Sequence, residues 1–93
     1  MYKLIFPFSY EEKVKKFLKK HPDILKQYEK CLTLIELDPF HPSLRLHKFK
    51  TKEFEGYSVS INMSYRISIE FLILEEEITF VNIGDHQEIY GKK

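Results

Sequence analysis

Four side chains in this sequence have the chemistry to move a proton or stabilise a phosphate: His47, Arg66, His86 and Tyr90. An imidazole that titrates near neutrality can take a proton from one oxygen and return it to another. A guanidinium can stabilise charge that builds on a pentacovalent phosphate, and a phenol can stack on a base. Arg45, Lys48, Lys50 and Lys52 surround His47 with a basic run suited to holding a nucleic-acid backbone by charge. Together these groups suit a phosphodiester. The sequence shows no carboxylate pair, no cluster at metal-ligand spacing, no glycine-rich phosphate loop and no nucleophile beside an activating base. Neither a metal nor a cofactor is expected.

Each of these residues also has a plainer role. His47 can be a surface histidine on a strand, and Arg66 can pair with Glu70 on the same strand face. His86 can cap a strand end or bond Asp85, and Tyr90 can plug a core. On residue type alone the function stays open.

The elements that would position the set follow from hydrophobic periodicity. Tyr57, Val59, Ile61, Met63, Tyr65, Ile67, Ile69, Phe71 and Ile73 alternate with polar residues, the two-residue period of half-buried strands. One sheet face therefore needs a core, and Arg45, His47, Ser58, Ser60, Asn62, Arg66 and Ser68 fall on the other, expected to be open and polar. Residues 2–6 read as a first strand stopped by Pro7. Ser9 and Glu12 have capping-box spacing, and Tyr10, Val14, Phe17 and Leu18 follow at helical spacing. His21-Pro22-Asp23 breaks that helix and starts a second, whose stripe is Ile24, Leu25, Tyr28, Cys31, Leu32 and Ile35. Strands are predicted over 44–49, from Gly56 to a tight connection at 62–64, over 65–74 and over 78–83. A short tail then carries Ile89 and Tyr90, and residues 91–93 should fray. The expected fold is α+β: an N-terminal strand and an α-helical hairpin on one face of a mostly antiparallel sheet of about five strands.

At 93 residues, with 43% hydrophobic and 15% aromatic content, residues 1–93 are expected to form one domain. The net charge of +1 hides two basic runs, Lys13 to Lys20 and Arg45 to Lys52, and an acidic one at Glu75-Glu76-Glu77. The lysines of the first run read as a solvated helix face. The lone Cys31 sits on an apolar stripe, reads as a core residue, and points to a reducing compartment. With no signal peptide and no apolar run long enough for a bilayer, a cytoplasmic protein without membrane attachment is expected.

Three motifs resemble a known family. His41-Pro42-Ser43-Leu44-Arg45-Leu46-His47-Lys48-Phe49 is similar to an "HPsLrlHkL" segment of the RelE/ParE superfamily of bacterial type II toxins. Tyr57-Ser58-Val59-Ser60-Ile61-Asn62 with Tyr65-Arg66-Ile67 resembles its "ysvrIn..yRI" strand pair. Ile83-Gly84-Asp85-His86-Gln87-Glu88-Ile89-Tyr90 resembles its closing "iGtHdeiY". The motifs come in the family's order and, with the strand-helix-helix opening, span essentially the whole chain.

The resemblance implies a toxin neutralised by a cognate antitoxin. Its branches are ribosome-dependent mRNA endoribonucleases (mRNA interferases) of the RelE, YoeB and YafQ types, and ParE-type inhibitors of DNA gyrase. In the ribonuclease branch the mRNA 2′-hydroxyl attacks the adjacent phosphate without a metal. His47 and His86 would then be general base and general acid, Arg66 would stabilise the phosphorane and Tyr90 would contact a base. Arg45, Lys48, Lys50 and Lys52 would hold mRNA or ribosomal RNA. Ser60 and Ser64 stand where YafQ-like enzymes carry a further histidine and an aspartate, and the charge is nearer neutral than in the basic ribonucleases of the family.

Overall fold

Apolar residues at helical spacing between Pro7 and Asp38 form two helices, α1 (Phe8–Lys20) and α2 (Leu25–Leu37), joined through a 3-10 turn at Pro22–Ile24. The computed structural model describes residues 1–91, so the expected fraying at Lys92 and Lys93 lies outside the described residues. α1 begins earlier than its capping-box residues suggest. Extended Pro7 is the N-cap, and its carbonyl accepts the N–H groups of Tyr10 and Glu11 at 3.0 Å each. Ser9 thus lies inside the first turn, and no side chain caps the helix. Tyr10, Phe17, Ile24, Tyr28, Cys31 and Ile35 are buried as their spacing requires, whereas Leu25 at the start of α2 is exposed.

Five strands form one mixed sheet in the order β1-β5-β4-β3-β2. They are β1 (Lys3–Ile5), β2 (His47–Lys50), β3 (Glu55–Ser60), β4 (Tyr65–Leu72) and β5 (Glu77–Asp85). β1 runs parallel to β5, and every other pairing is antiparallel. The helical hairpin covers one face, where Val59, Ile67, Ile69, Ile78, Phe80 and Ile83 meet the helix stripes. Tyr10 and Phe80 lie 5.3 Å apart at its centre.

The alternation stops sooner than expected at both hairpins. Asn62 lies in the connection, where its Oδ1 accepts the N–H groups of Ser64 (2.8 Å) and Tyr65 (2.9 Å). That turn leaves Met63 outside the core. β4 ends at Leu72, and Ile73–Glu75 form a 3-10 turn that leaves Leu74 99% exposed. The strand expected over 44–49 begins only at His47. Pro42–Leu44 form a 3-10 turn with Leu44 buried, and Arg45 closes it in left-handed backbone at φ 50°. Arg45 and His47 are therefore not successive outward residues of one strand.

The face expected to be open is roofed in part. Ser58 and Ser68 are buried because the chain end folds into a short helix, α3 (His86–Tyr90), across them. Its start is secured reciprocally: Asp85 Oδ1 accepts Glu88 N–H and Glu88 Oε1 accepts Asp85 N–H, both at 2.9 Å. Gly84 makes room for this, since a Cβ there would stand 2.5 Å from Glu88 Oε1. β5 carries one extra residue at Val81, because Ser68 pairs with Asn82 while Ile69 pairs with Phe80.

Burial in this core pushes the Cys31 thiol up to about 12 and raises the phenols of Tyr10 and Tyr28, whose oxygens lie 3.0 Å apart. A group that holds its proton more tightly when folded contributes stability below its unfolded pKa and loses it as the pH rises toward the folded value. The urea midpoint should therefore stay level up to pH 9.0, the ordinary thiol value, and then fall toward pH 12. Each ionising group adds a slope of at most about 1.4 kcal/mol per pH unit. A midpoint still level at pH 11 would mean that these groups ionise alike in both states.

Candidate active site

β2, β4 and α3 bring their polar side chains to one open cavity of about 530 Å³, lined by Arg45, His47, Lys50, Thr51, Arg66, His86 and Tyr90. The register explains the convergence. His47 pairs with Ser58, Ser58 with Ser68 and Ser68 with Asn82, which makes one row across the sheet. Two residues along, in the next row on the same face, Arg66 sits between Ser60 and Gly84. The glycine leaves space beside the arginine where α3 crosses.

Arg66 is held from two sides. Its Nε donates to Ser58 Oγ at 3.1 Å, and its Nη2 donates to the Arg45 carbonyl at 2.9 Å. These bonds, rather than a pair with Glu70, fix the guanidinium, and they explain why the strained backbone at Arg45 belongs to the site. Among the described residues no other group accepts from this guanidinium, whose remaining N–H groups can serve an anion. Tyr90 forms a wall instead of plugging the sheet core. Its ring meets His86 at 4.4 Å, Phe49 at 4.8 Å and His47 at 6.0 Å between centroids. Both imidazoles are exposed and flank one phenol, while Arg45, Lys50 and Arg66 supply positive charge. No acidic residue is among the described residues that line the cavity.

Other candidates lie apart from this cavity. Lys48 pairs with Tyr57 and lines a separate hollow with Glu55 and Glu70. Lys52 lies beyond Tyr90, beside Glu53, Phe54 and Asn82. Ser60 Oγ bonds the Asn62 carbonyl at 2.7 Å, so Ser60 belongs to the turn that also holds Ser64. His41 Nδ1 accepts Ser43 N–H at 3.2 Å and caps the 3-10 turn. His21 packs on Phe17 and Tyr65. The sequence reading missed Thr51. Thr51 Oγ1 accepts the N–H groups of Glu53 (3.3 Å) and Phe54 (3.1 Å), and a threonine leading a polar loop is the local signal for such a turn.

No protein-family model matches the sequence, and a search of curated proteins finds no match. Solved structures do match in fold. YafQ from E. coli superposes with a TM-score of 0.76 at 14% identity, covering 98% of this chain and 100% of that one. YafQ in the E. coli DinJ-YafQ complex gives 0.75 at 15% identity, with the same coverage. A metal-bound toxin from Helicobacter pylori gives 0.74 at 18% identity, covering 97% of this chain and 100% of that one. The chain shares its architecture with these solved structures, the fold that the motifs implied.

Proposed function

We propose that this chain is the toxin of a type II toxin-antitoxin pair and cleaves mRNA in the ribosomal A site. The observation that carries the reading is the convergence of two imidazoles, a phenol and a doubly anchored guanidinium in one cation-lined cavity. One imidazole would take the proton of the mRNA 2′-hydroxyl as that oxygen attacks the adjacent phosphorus. The other would protonate the departing 5′-oxygen. We assign His47 as base and His86 as acid. Arg66 faces the charge that develops on the phosphorane, and the Tyr90 ring stacks on or orients a base. The products are a 2′,3′-cyclic phosphate and a free 5′-hydroxyl, and every proton is accounted for by the two histidines. No step requires a metal.

A cognate antitoxin is part of this proposal, in keeping with the YafQ relative solved as a complex with DinJ. The site of action would be the cytoplasm, where ribosomes are; none of the described helices is long and apolar enough to cross a membrane. The test is induced expression without an antitoxin. Growth should stop with translation failing before DNA replication, and primer extension should find cuts only in translated mRNA. Replication and supercoiling failing first would replace this reading with gyrase inhibition.

The cavity also sorts the basic run. Each cation that neutralises a phosphate adds a counterion-release term of about 0.7–0.9 to the slope of log affinity against log salt. Lys50→Ala should lower that slope for ribosome binding by about one such term, while Lys48→Ala should leave it near wild type. Equal effects of the two would place the RNA path along the β2 edge rather than through the cavity.

A further inference from the structure

We propose that Ser58 is a positioning residue that turns the Tyr90 hydroxyl hydrogen into the cavity, making Tyr90 a hydrogen-bond donor to the scissile phosphate; this substrate role rests on the ribonuclease reading above. Ser58 is wholly buried, and its hydroxyl bonds two partners, Arg66 Nε and Tyr90 Oη. A guanidinium donates and accepts nothing. Among the described residues, Tyr90 Oη is then the one acceptor bonded to the Ser58 hydroxyl. A buried hydroxyl left without an acceptor carries its full desolvation cost, so the direction runs from Arg66 to Ser58 to Tyr90.

That direction has a consequence at the cavity wall. Tyr90 accepts from Ser58, so its own hydrogen cannot return there and is left to the cavity that the residue lines. Hydrogen bonds that begin at a permanent cation polarise one another along the chain. Tyr90 thus offers a donor backed by the Arg66 charge, suited to a non-bridging oxygen of a phosphate held between His47 and His86. Stacking needs only the ring, but this role needs the hydroxyl. The chain moves no proton in the reaction; it orients and polarises a donor.

The test compares wild type, Ser58→Ala, Tyr90→Phe and the double variant in single-turnover cleavage on translating ribosomes. Each single change should slow the rate at saturating toxin about ten- to a hundredfold, the worth of one hydrogen bond to a charged group, with half-saturation unchanged. The double variant should lose clearly less than the product of the two single losses, because both changes cut the same chain, and any loss beyond Tyr90→Phe alone reports the Arg66 anchor that Ser58 also supplies. In NMR spectra the Arg66 Nε–H should lose its protection from exchange in Ser58→Ala and keep it in Tyr90→Phe. Losses that multiply in the double variant, a Tyr90→Phe variant that cuts at the wild-type rate, or Arg66 Nε–H exchange that ignores Ser58 would each overturn the proposal. If Ser58→Ala does not fold, Tyr90→Phe alone decides by its rate. If the wild type cuts no RNA, the ribonuclease reading and the substrate role of the donor fall together, and the NMR comparison shows separately whether the Arg66–Ser58 link exists. If the wild type cuts but the losses multiply, only the relay falls.

Discussion

Replacing His86 by glutamine is expected to lower cleavage of ribosome-bound mRNA by about 10²–10⁴-fold, the usual contribution of a positioned proton donor, while ribosome binding stays near wild type. Glutamine keeps much of the size and hydrogen bonding of the imidazole but has no titratable proton to give the departing 5′-oxygen. The scaffold around the position should survive. His86 is exposed and opens α3, and the capping box that secures this helix uses Asp85 and Glu88 instead. Its imidazole is in ring contact with Tyr90, so far-UV and thermal measurements should accompany the kinetics. Primer-extension mapping paired with ribosome pelleting separates the outcomes. A His86→Gln variant that cuts normally would make His86 a structural residue at the strand end and move the acid elsewhere. A wild type that arrests growth while cutting nothing would make the protein a binding toxin, with this tail part of its docking surface.

How far the sequence revealed this site depends on which interactions are periodic. The two-residue alternation from Tyr57 onward correctly separated Val59, Ile67, Ile69 and Phe71 from Ser58, Arg66 and Ser68, because burial against a helical layer imposes that period. The helical hairpin was legible for the same reason. Alternation carries no information about what lies over the far face, so Ser58 and Ser68 have the pattern of surface residues although both are buried. Asp85 and Glu88 held a signal for α3 in their spacing, three residues apart before an apolar pair, but the segment resembled a tail. The left-handed turn at Arg45 follows a 3-10 segment whose proline and serine signal a turn, yet a run of leucines and basic residues has the look of a strand. The link from Arg66 to Ser58 and the Arg45 carbonyl joins residues far apart in the chain. No local pattern encodes it, and only sheet register brings the groups together.

Arg66→Ala should show the second large effect, a loss of about 10²–10³-fold in cleavage with little change in ribosome affinity. The size follows from when the interaction matters. Charge on the phosphoryl oxygens peaks in the phosphorane, so a guanidinium fixed in advance stabilises that state more than bound substrate. Ser58 Oγ and the Arg45 carbonyl fix it at the cavity wall, leaving N–H groups for the phosphate without reorganisation during the reaction. Arg66→Lys tests this anchoring. Lysine restores the charge, but its ammonium cannot bond Ser58, Arg45 and a phosphate in the planar fork of a guanidinium. Recovery should therefore be small, with most of the alanine loss remaining. The pattern of constants decides between roles. A fall in the saturated rate at constant half-saturation assigns Arg66 to the transition state, whereas weaker binding at an unchanged saturated rate makes it a docking residue. A lysine variant as fast as wild type would show that charge alone suffices and that the two anchoring bonds serve the fold of the Arg45 turn.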